Sequence, residues 1–484
     1  MFDKTHSIGH LCFMDSDLKR IIALFAISLG TIIGPLDTSV NVAFPHIIND
    51  LNQPMEMIRY VVICYVLTYA SLMLVFGKLG DLYGQKRIFT AGLAISTLAF
   101  LLISLSSDFG SLLFFRFLQG LGTGLTTSVA PAMMIALYSE EKRKYAVGLF
   151  TVVFAIGGLL GPILGGYLVE AFSWHAVFWF RIPISVVSLL FILGVFKLNS
   201  DSRERITGRE PFDTWGAVTL ILSISVCLLT INQLHGLDEN GMWPTMALGA
   251  TGVILIYCFI RNEKLAKDPI IHLGIFKNAE FVILNLTSCL LYLATFTVIL
   301  IIPFFLYRLE SFSTHKAGLI LAIGFVGTSL AGLLGGRIIG TISGGKIGFV
   351  GVLLVGIGLL ALSQTQSSDN MTWMICALLL QGIGTGLFQT SYMYSITGIL
   401  PASQRGVSGS LTMLTRTIGV VSGVTVLTFI FIWLNNSGKI MGLNPDEQFQ
   451  RSFQLIFLLA GGGLLVFLLA TMMCPRVWFR SSEN

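Results

Sequence analysis

Long apolar runs dominate this sequence and restrict its fold more than any other feature. Fourteen of them, each roughly 16–26 residues long, are sufficient to cross a bilayer as a helix. Only 11% of the residues are charged, whereas a soluble protein has about 25%. The short alternating strands of a membrane β-barrel are absent from the sequence. We therefore predict an all-α integral membrane protein with 14 transmembrane helices.

Part of the chain is repeated. Leu118–Leu125 reads LQGLGTGL, and 262 residues later Leu380–Leu387 reads LQGIGTGL. Further residues match in order at the same offset: Arg143 with Arg405, Gly157 with Gly419, and Gly161 with Gly423. Ordered matches at one offset indicate a duplicated unit, which is the architecture of many transporters. The sequence predicts two pseudo-symmetric six-helix bundles plus two inserted central helices.

The distribution of basic residues predicts the orientation. With a cytoplasmic N-terminus, most of the 30 Lys and Arg residues fall on the cytoplasmic side, as the positive-inside rule requires. An even number of spans then places both termini in the cytoplasm, in a multi-pass protein of the cell (plasma or inner) membrane. The predicted segments are a cytoplasmic N-terminus (1–20), an N-terminal six-helix bundle (21–196), a linker with two extra helices (197–280), a C-terminal six-helix bundle (281–473) and a cytoplasmic C-terminus (474–484).

The two halves differ in their charged and helix-bending residues. Three first-half residues are replaced in the second half: Arg116 by Leu378, Pro162 by Val424, and Asp81 by Gly340. We therefore expect the first half to carry the chemistry of the protein.

Asp37 is the one acidic residue well inside an apolar run. Gly30, Gly34 and Asn41 share its helical spacing, so the sequence predicts one narrow stripe of small and polar residues. Such a stripe faces protein or water rather than lipid. A carboxyl group at this depth is costly to keep charged, which suits a residue that binds and releases a proton. The alternative is that Asp37 only hydrogen-bonds a neighbouring helix.

Arg116 lies in the fourth run, three residues before Gln119. Because an arginine keeps its proton in proteins, Arg116 is a fixed charge that can act on a nearby carboxylate or bind a substrate. The alternative is a structural anchor that donates to a backbone carbonyl group. Two other arginines, Arg181 and Arg416, also lie within apolar runs.

Two glycine-rich segments of the first half predict elements that control conformation. Gly157–Gly166 has glycines four residues apart, which give a helix a smooth face for close packing, and a proline that bends it. Gly77–Arg87 reads GKLGDLYGQKR and predicts a tight turn whose Asp81 caps a helix or pairs with a basic residue. The conformational residues predicted from both segments are Gly77, Asp81, Gly84, Arg87, Gly157, Gly161, Pro162, Gly165 and Gly166.

Together these segments resemble the major facilitator superfamily. Gly77–Arg87 is similar to its loop motif between spans two and three, and Arg116–Gly124 is similar to its span-four motif. Gly157–Gly166 resembles the GxxxGPxxGG motif of its antiporters. Leu36–Pro45, LDTSVNVAFP, resembles the span-one signature of its fourteen-span drug:proton antiporters. The resemblance covers essentially the whole chain.

The resemblance implies roles for residues that match these motifs. Asp37 and Arg116 would take part in proton coupling. Asp81 would stabilise one conformation at the cytoplasmic side. Gly161 and Pro162 would help to seal the two bundles against each other on the outer side.

Arg181 departs from the family, which usually has Asn at this position. At the helix rise per residue, Arg181 lies about 10 Å below the outer surface, where a charge is expensive. Two positions are open to its side chain, which can extend to the outer surface or pair with Asp37 at similar depth. A pair with Asp37 would hold the carboxylate in its charged form.

We expect a proton-coupled secondary active exporter (antiporter) of lipophilic small molecules such as drugs or dyes, working as a monomer by alternating access. Export of an endogenous metabolite such as a siderophore or lipid is the alternative within the same class. A membrane-embedded enzyme is the alternative from another class, but the sequence has no HExxH, GxSxG or GxxxxGK[ST] motif. We expect no catalytic residue, cofactor, metal or nucleic-acid partner; the expected partners are the substrate, protons and the lipid bilayer.

Polarity and depth select the candidate substrate-binding residues, and each of those in the second half is equally compatible with a packing role. They are Asn41, Gln119, Arg181, Asn285, Tyr292, Gln389 and Tyr392. The predicted spans of the second half contain no interior Asp or Glu. Because an unpaired charge is costly in a low-dielectric cavity, we expect neutral or singly charged lipophilic substrates, or anions, and poor export of dications.

Overall fold

The structure is a computed structural model of the 484-residue chain. It describes residues 16–53, 57–197, 213–233, 242–266, 269–270, 273–308, 314–365, 371–399, 405–440 and 442–479. Within these ranges nearly every residue is helical, and the one β-bridge joins Ile339 to Ile342. The all-α prediction is confirmed.

Seventeen α-helices lie in the described ranges. They are α1 Ser16–Ile32, α2 Thr38–Asp50, α3 Ile58–Tyr83, α4 Gln85–Ser104, α5 Phe109–Ala136, α6 Arg143–Ala171, α7 Ala176–Trp179, α8 Arg181–Lys197, α9 Thr214–Gln233, α10 Met242–Leu265, α11 Ala279–Arg308, α12 Thr314–Ile338, α13 Gly344–Ser363, α14 Met371–Ile399, α15 Arg405–Ile440, α16 Pro445–Thr471 and α17 Arg476–Phe479. Short 3-10 helices lie at Pro35–Asp37, Glu140–Lys142 and Leu273–Lys277.

Side chains fix where two of the long helices begin. The Asp108 carboxylate accepts a hydrogen bond from the Ser111 amide (2.9 Å) at the start of α5, and this bond lowers the pKa of Asp108. Asn444 and Glu447 form a capping box at the start of α16. These caps satisfy amide groups that the first helical turn leaves without partners.

Eleven helical segments in the described part of the chain are long and apolar enough to cross a membrane. They include the predicted first span, which is found as Arg20–Phe44. The predicted fourth, seventh and thirteenth spans correspond to the helices α5, α9 and α15, which are not among the eleven. The chain is thus a multi-pass membrane protein, and the count of fourteen stays a prediction.

The first span is broken where the sequence predicted one continuous helix. α1 ends at Ile32, and the 3-10 turn Pro35–Asp37 precedes α2. Pro35 has no amide hydrogen, so it cannot continue the α-helical hydrogen bonding. Gly34 faces α5 as Asp37 does, whereas Asn41 is exposed, so a face shared by all the stripe residues stays a prediction. The break places Asp37 at a helix junction.

The two LQGxGTGL segments pack in the same way. Gly122 of α5 lies against the backbone of Gly92 in α4, and Gly384 of α14 lies against the backbone of Gly351 in α13. The neighbouring glycines of the two segments touch α3 and α12, respectively. Glycine is needed because a Cβ atom would lie less than 3 Å from backbone atoms of the adjacent helix.

The helix α6 packs along α12 and thereby connects the two halves of the chain. Gly148 of α6 approaches Gly332 and Gly336 of α12 so closely that a Cβ atom would lie 2.7 Å from the Gly332 carbonyl oxygen. Nearby, the Thr390 hydroxyl group of α14 donates to the Thr151 hydroxyl group of α6 (3.1 Å). This contact is built from small side chains.

The inserted helices α9 and α10 pack on each other, and α9 also lies against α3 and α15. Asp213 ties the pair together at one end. It accepts from the Gly216 amide (2.8 Å) at the start of α9 and from the Asn262 side chain (3.1 and 3.2 Å) near the end of α10. Most of the predicted linker before α9, residues 198–212, lies outside the described residues.

Candidate functional site

Asp37 accepts hydrogen bonds from two side chains of α5. Arg116 donates through Nη1 to Oδ1 (2.9 Å) and through Nη2 to Oδ2 (3.0 Å), which makes a bidentate ion pair. Gln119 donates through Nε2 to the same Oδ1 (2.9 Å) and accepts from Arg116 Nη1 (2.7 Å) through Oε1. The three-residue spacing of Arg116 and Gln119 brings both to one carboxylate.

Arg181, at the start of α8, is a third donor to this carboxylate. Its Nη1 donates to Asp37 Oδ1 (2.8 Å), and its Nη2 donates to Ser39 Oγ (2.6 Å) and to the Leu36 carbonyl oxygen (3.2 Å). Of the two positions open to Arg181, the structure has the one against Asp37. Both terminal nitrogens of Arg181 are thus bonded, while its buried Nε atom has no partner among the described residues. Arg181 and Gln119 lie in the carboxylate site, and their role in substrate binding stays a prediction.

The site combines two buried cations with one partly accessible anion. The side chains of Arg116 and Arg181 are 1% and 0% exposed, whereas that of Asp37 is 13% exposed. Burying a guanidinium group is costly unless a charge partner and hydrogen bonds compensate, and Asp37 serves as that partner for both arginines. The carboxylate is the group through which this cluster can exchange a proton.

Aromatic rings enclose the two guanidinium groups. The Arg116 Cζ atom lies 4.4 Å from the centroid of the Tyr65 ring, and the Arg181 Cζ atom lies 5.5 Å from both Phe100 and Phe178. Such cation–π contacts stabilise a desolvated guanidinium group. These rings could not be predicted from the sequence, because its 36 Phe and 12 Tyr residues carry no signal that singles out three of them.

The glycine face of α6 lies directly on the segment that carries Asp37. A Cβ atom at Gly161 would overlap the Thr38 hydroxyl group, and one at Gly165 would lie 2.8 Å from the carbonyl oxygen of Ser39. The motif predicted from sequence is thus in contact with the residues that flank the carboxylate.

A different face of α6 meets α12. A Cβ atom at Gly158 would lie 2.5 Å from the Phe325 ring, and the Pro162 ring lies 4.0 Å from the Cβ position of Gly318. The helix therefore touches the Asp37 segment and the second half of the chain at once. Because close-packed contacts transmit strain, α6 is positioned to couple the two regions.

The predicted turn motif lies between α3 and α4 and reaches the second half. Gly84 has a φ of +96°, a left-handed conformation that ends α3 and that only glycine adopts readily. Asp81 Oδ2 accepts from the Val407 amide (3.1 Å) in the first turn of α15. This carboxylate thus interacts with the positive end of the helix dipole of α15. Gly77 is buried within α3, and Arg87 is exposed in the first turn of α4.

Two more contacts join the halves through helices α5, α6, α14 and α15. Arg143 of α6 donates to the Tyr394 carbonyl oxygen of α14 (3.4 Å) and lies over the Tyr394 ring (4.6 Å). Ser410 of α15 donates to the Ser128 carbonyl oxygen of α5 (3.2 Å). Together with Asp81 they form a set of polar links between the halves.

The candidate substrate residues of the second half fall into two groups. Asn285 Oδ1 accepts from both the Tyr392 and the Thr415 hydroxyl groups (2.9 Å each), so these three side chains satisfy one another. By contrast, the Tyr292 hydroxyl group and the Gln389 amide nitrogen are buried and have no hydrogen-bond partner among the described residues. Buried polar atoms normally have a hydrogen-bond partner, and the described residues supply none for Tyr292 or Gln389.

Arg416 is a further charged residue at the contact of the halves, and no sequence motif predicted a role for it. Its Cζ atom lies 4.0 Å from the Phe154 ring of α6 and 4.9 Å from the Tyr292 ring of α11. Its position inside an apolar run was the available signal, because a charge in a span is rarely without function.

The chain is similar to named transport and resistance proteins over most of its length. The chain is 29% identical to "Multidrug resistance protein 3" of Bacillus subtilis (strain 168) over 421 residues, which are 85% of this chain and 80% of that protein. It is 27% identical to "Riboflavin transporter RibZ" of Clostridioides difficile (strain 630) over 422 residues, covering 85% and 88% of the two chains.

A solved structure shows the same fold. The human organic anion transporter MFSD10 (TETRAN) superposes with a TM-score of 0.64 at 14% sequence identity, covering 94% of this chain and 99% of that one. The family model described as "Major Facilitator Superfamily" matches residues 21–424 and again residues 284–481. The chain therefore belongs to the Major Facilitator Superfamily.

Proposed function

We propose that this protein is a secondary active exporter that moves lipophilic small molecules out of the cell in exchange for protons, with Asp37 as the proton-binding residue. The observation that carries the proposal is the carboxylate of Asp37, partly accessible and bonded at the same time to Arg116, Arg181 and Gln119. A proton on Asp37 competes directly with these donors, so its binding alters the contacts among α2, α5 and α8.

The packing of α6 supports a route from this site to the second half. Its Gly161 and Gly165 contact the residues next to Asp37, while Gly158 and Pro162 face α12. Protonation of Asp37 would weaken the packing of α6 on the residues next to Asp37. The position of α6, and with it the angle between two six-helix bundles, would then change. This is the rocking motion by which secondary transporters alternate access.

The polar links at Asp81, Ser128 and Arg143 control opening and closing on the other side of the membrane. We assign them to the cytoplasmic side, as the charge distribution of the loops predicts. Their hydrogen bonds to α14 and α15 hold that side closed, so they have to break before substrate enters from the cytoplasm. Gly77, Gly84 and Arg87 shape and flank the turn that presents Asp81.

The names of the relatives favour drugs or dyes as substrates. The name "Multidrug resistance protein 3" refers to several drugs, and small-molecule sites in proteins are mostly lined by apolar and aromatic side chains. The riboflavin transporter among the relatives favours a second candidate, transport of an endogenous metabolite. Both candidates use the same proton site and differ only in the substrate.

Transport in proteoliposomes with an imposed proton gradient tests the proposal. Asp37→Asn keeps the size and hydrogen bonding of the side chain but removes the titratable proton, so it should abolish uphill export of a fluorescent dye. The matched control is Asp108→Asn, an exposed carboxylate at a helix cap where Asn caps equally well. Wild-type rates of proton-driven export by Asp37→Asn would exclude Asp37 as the carrier.

Reporter fusions test the topology on which the assignment of sides rests. A cytoplasm-only reporter fused after Arg480 should give signal, because fourteen spans with a cytoplasmic N-terminus place both ends inside. A signal only from a periplasm-active reporter at that point would refute the predicted topology.

A further inference from the structure

Arg416 is a partly buried cation, and no carboxylate of the described part of the chain forms an ion pair with it. Its Nη1 atom is inaccessible to solvent and has no hydrogen-bond partner there. Its neighbours are rings, with Phe154 on one side and Tyr292 on the other. Rings stabilise a guanidinium group only in part, because they accept no in-plane hydrogen bond from its N–H groups.

The Tyr292 hydroxyl group is the second unpaired donor at this position. It is buried without a partner among the described residues, although its ring centroid is only 4.9 Å from Arg416 Cζ. Three other polar side chains of α11, α14 and α15, those of Asn285, Tyr392 and Thr415, bond one another instead. Arg416 Nη1 and the Tyr292 hydroxyl group thus have no acceptor among the described residues, which is an unfavourable arrangement unless a ligand supplies one.

No carboxylate of the described chain is available to Arg416. Asp37 is shared by Arg116 and Arg181, so that site already has more positive than negative charge. Arg416 adds a further positive charge to the interior, and the predicted spans of the second half offer no acid. The charge distribution thus favours an anion and opposes a cation at this position.

We propose that Arg416 and the Tyr292 hydroxyl group bind the anionic group of an amphipathic aromatic substrate, where α6, α11 and α15 meet. The carboxylate or sulfonate of such a molecule accepts from the guanidinium and hydroxyl groups, and its ring packs on Phe154. The inference narrows the substrate class of the proposed exporter and rests on that proposal for its transport role, but binding is measurable without a proton gradient.

Aromatic side chains connect this anion subsite to the proton site. Arg116 lies over the Tyr65 ring (4.4 Å), and the Tyr65 and Tyr69 ring centroids are 5.0 Å apart. The Tyr69 side chain interacts with Thr417, the residue after Arg416. A substrate anion at Arg416 would therefore lie near the residues that surround Asp37.

Matched naphthalene probes test the proposal. Binding of 1-naphthoate, neutral 1-naphthamide and 1-naphthylmethylammonium is measured with the full chain in phosphatidylcholine nanodiscs. Wild type should bind naphthoate about tenfold or more tightly than naphthamide, and the ammonium compound most weakly. Arg416→Gln should weaken naphthoate binding by about tenfold to a hundredfold and leave naphthamide within a factor of two, since a hydrogen bond to a charged group is lost.

Three further proteins control for folding and total charge. Arg337→Gln removes an exposed arginine at the end of α12 and should bind like wild type. Arg416→Lys keeps the charge and should retain a preference for naphthoate. Tyr292→Phe keeps the ring and should weaken naphthoate binding several-fold without affecting naphthamide. Thermal unfolding of each variant shows whether it is folded. If Arg416→Gln does not fold, naphthoate binding by Arg416→Lys and Tyr292→Phe tests the anion site instead.

Several outcomes would overturn the inference. Equal affinity of wild type for naphthoate and naphthamide would do so, as would unchanged naphthoate binding by folded Arg416→Gln. Displacement of naphthoate by added phosphatidylglycerol, together with no naphthoate transport, would assign the site to a lipid headgroup instead. Naphthoate binding that depends on Arg416, without proton-driven export of any probe, would support the anion site and contradict the proposed function.

Discussion

The two LQGxGTGL segments share their packing and differ in their polar chemistry. Gly122 and Gly384 touch the neighbouring helix in equivalent ways. Gln119, however, donates to Asp37 on another helix, whereas Gln381 donates to Thr385 one turn along its own helix (2.9 Å). The duplication therefore kept the backbone contacts, which need glycine, and left the polar residues able to diverge.

Helices α6 and α15 are a second equivalent pair, and they too share close glycine packing but differ in their charged residues. Gly161 of α6 packs on the Asp37 segment, and its counterpart Gly423 of α15 packs on α11 next to Leu293. At the repeat offset, Phe154 of α6 corresponds to Arg416 of α15, and these two side chains are in contact. The first half thus has an acid held by cations, and the second half has a cation without a carboxylate partner among the described residues.

Valine at the equivalent glycines should have the largest effect and the same effect in both halves. Gly122→Val and Gly384→Val each place atoms within 3 Å of a neighbouring backbone, so each should lower the free energy of unfolding by about 2–3 kcal/mol or more. Thermal unfolding in detergent measures this loss. Gly463→Val, at a glycine with open space around it, is the control. A harmless substitution in one half only would show that the packing is not equivalent.

Arg116→Leu makes the first half resemble the second at this position, where Leu378 stands. It removes the bidentate partner of Asp37, but Arg181 and Gln119 still donate to that carboxylate, so the loss should stay below about 3–5 kcal/mol, which is what an unpaired buried charge costs. We expect lower thermal stability and loss of proton-driven export. Export at the wild-type rate by this variant would show that Arg181 alone suffices at Asp37.

Arg181→Asn restores the residue usual in the family and should move the pH profile of export. Each guanidinium group favours the charged carboxylate, so removal of Arg181 lets Asp37 take up a proton at a higher pH. The pH optimum in proteoliposomes should therefore shift upward, whereas Arg337→Asn should leave it unchanged. An unchanged pH optimum for Arg181→Asn would mean that the Asp37–Arg181 ion pair stabilises the fold but does not affect proton binding.

Leucine at the two equivalent glutamines should give the smallest but most selective effect. Gln119→Leu removes bonds to charged partners worth about 1.5–3 kcal/mol, so export should fall roughly tenfold or more. Gln381→Leu removes a bond within one helix, and export should change by less than about twofold. Dye efflux rates at equal protein amounts provide the measurement. Equal losses in both variants would contradict the asymmetry between the halves.

Much of the fold could be predicted from the sequence because membrane helices are specified locally. The length of an apolar run sets the span, and glycine spacing sets the close-packed face. The break at Pro35–Asp37 was missed, although the proline was visible, because prolines inside α5 and α6 do not end those helices. Whether a proline breaks a span depends on the packing around it.

Sequence by itself determined that the chain is a duplicated helical membrane protein, and it identified Asp37, Arg116 and the glycine motifs as residues to examine. Tertiary structure decided which of the positions open to Arg181 is occupied and paired Asn285 with Tyr392. It also left Arg416 without an acid in the described chain. The physical reason is that apolar periodicity and glycine spacing are properties of one helix, whereas charge compensation depends on residues from several helices that only the fold brings together.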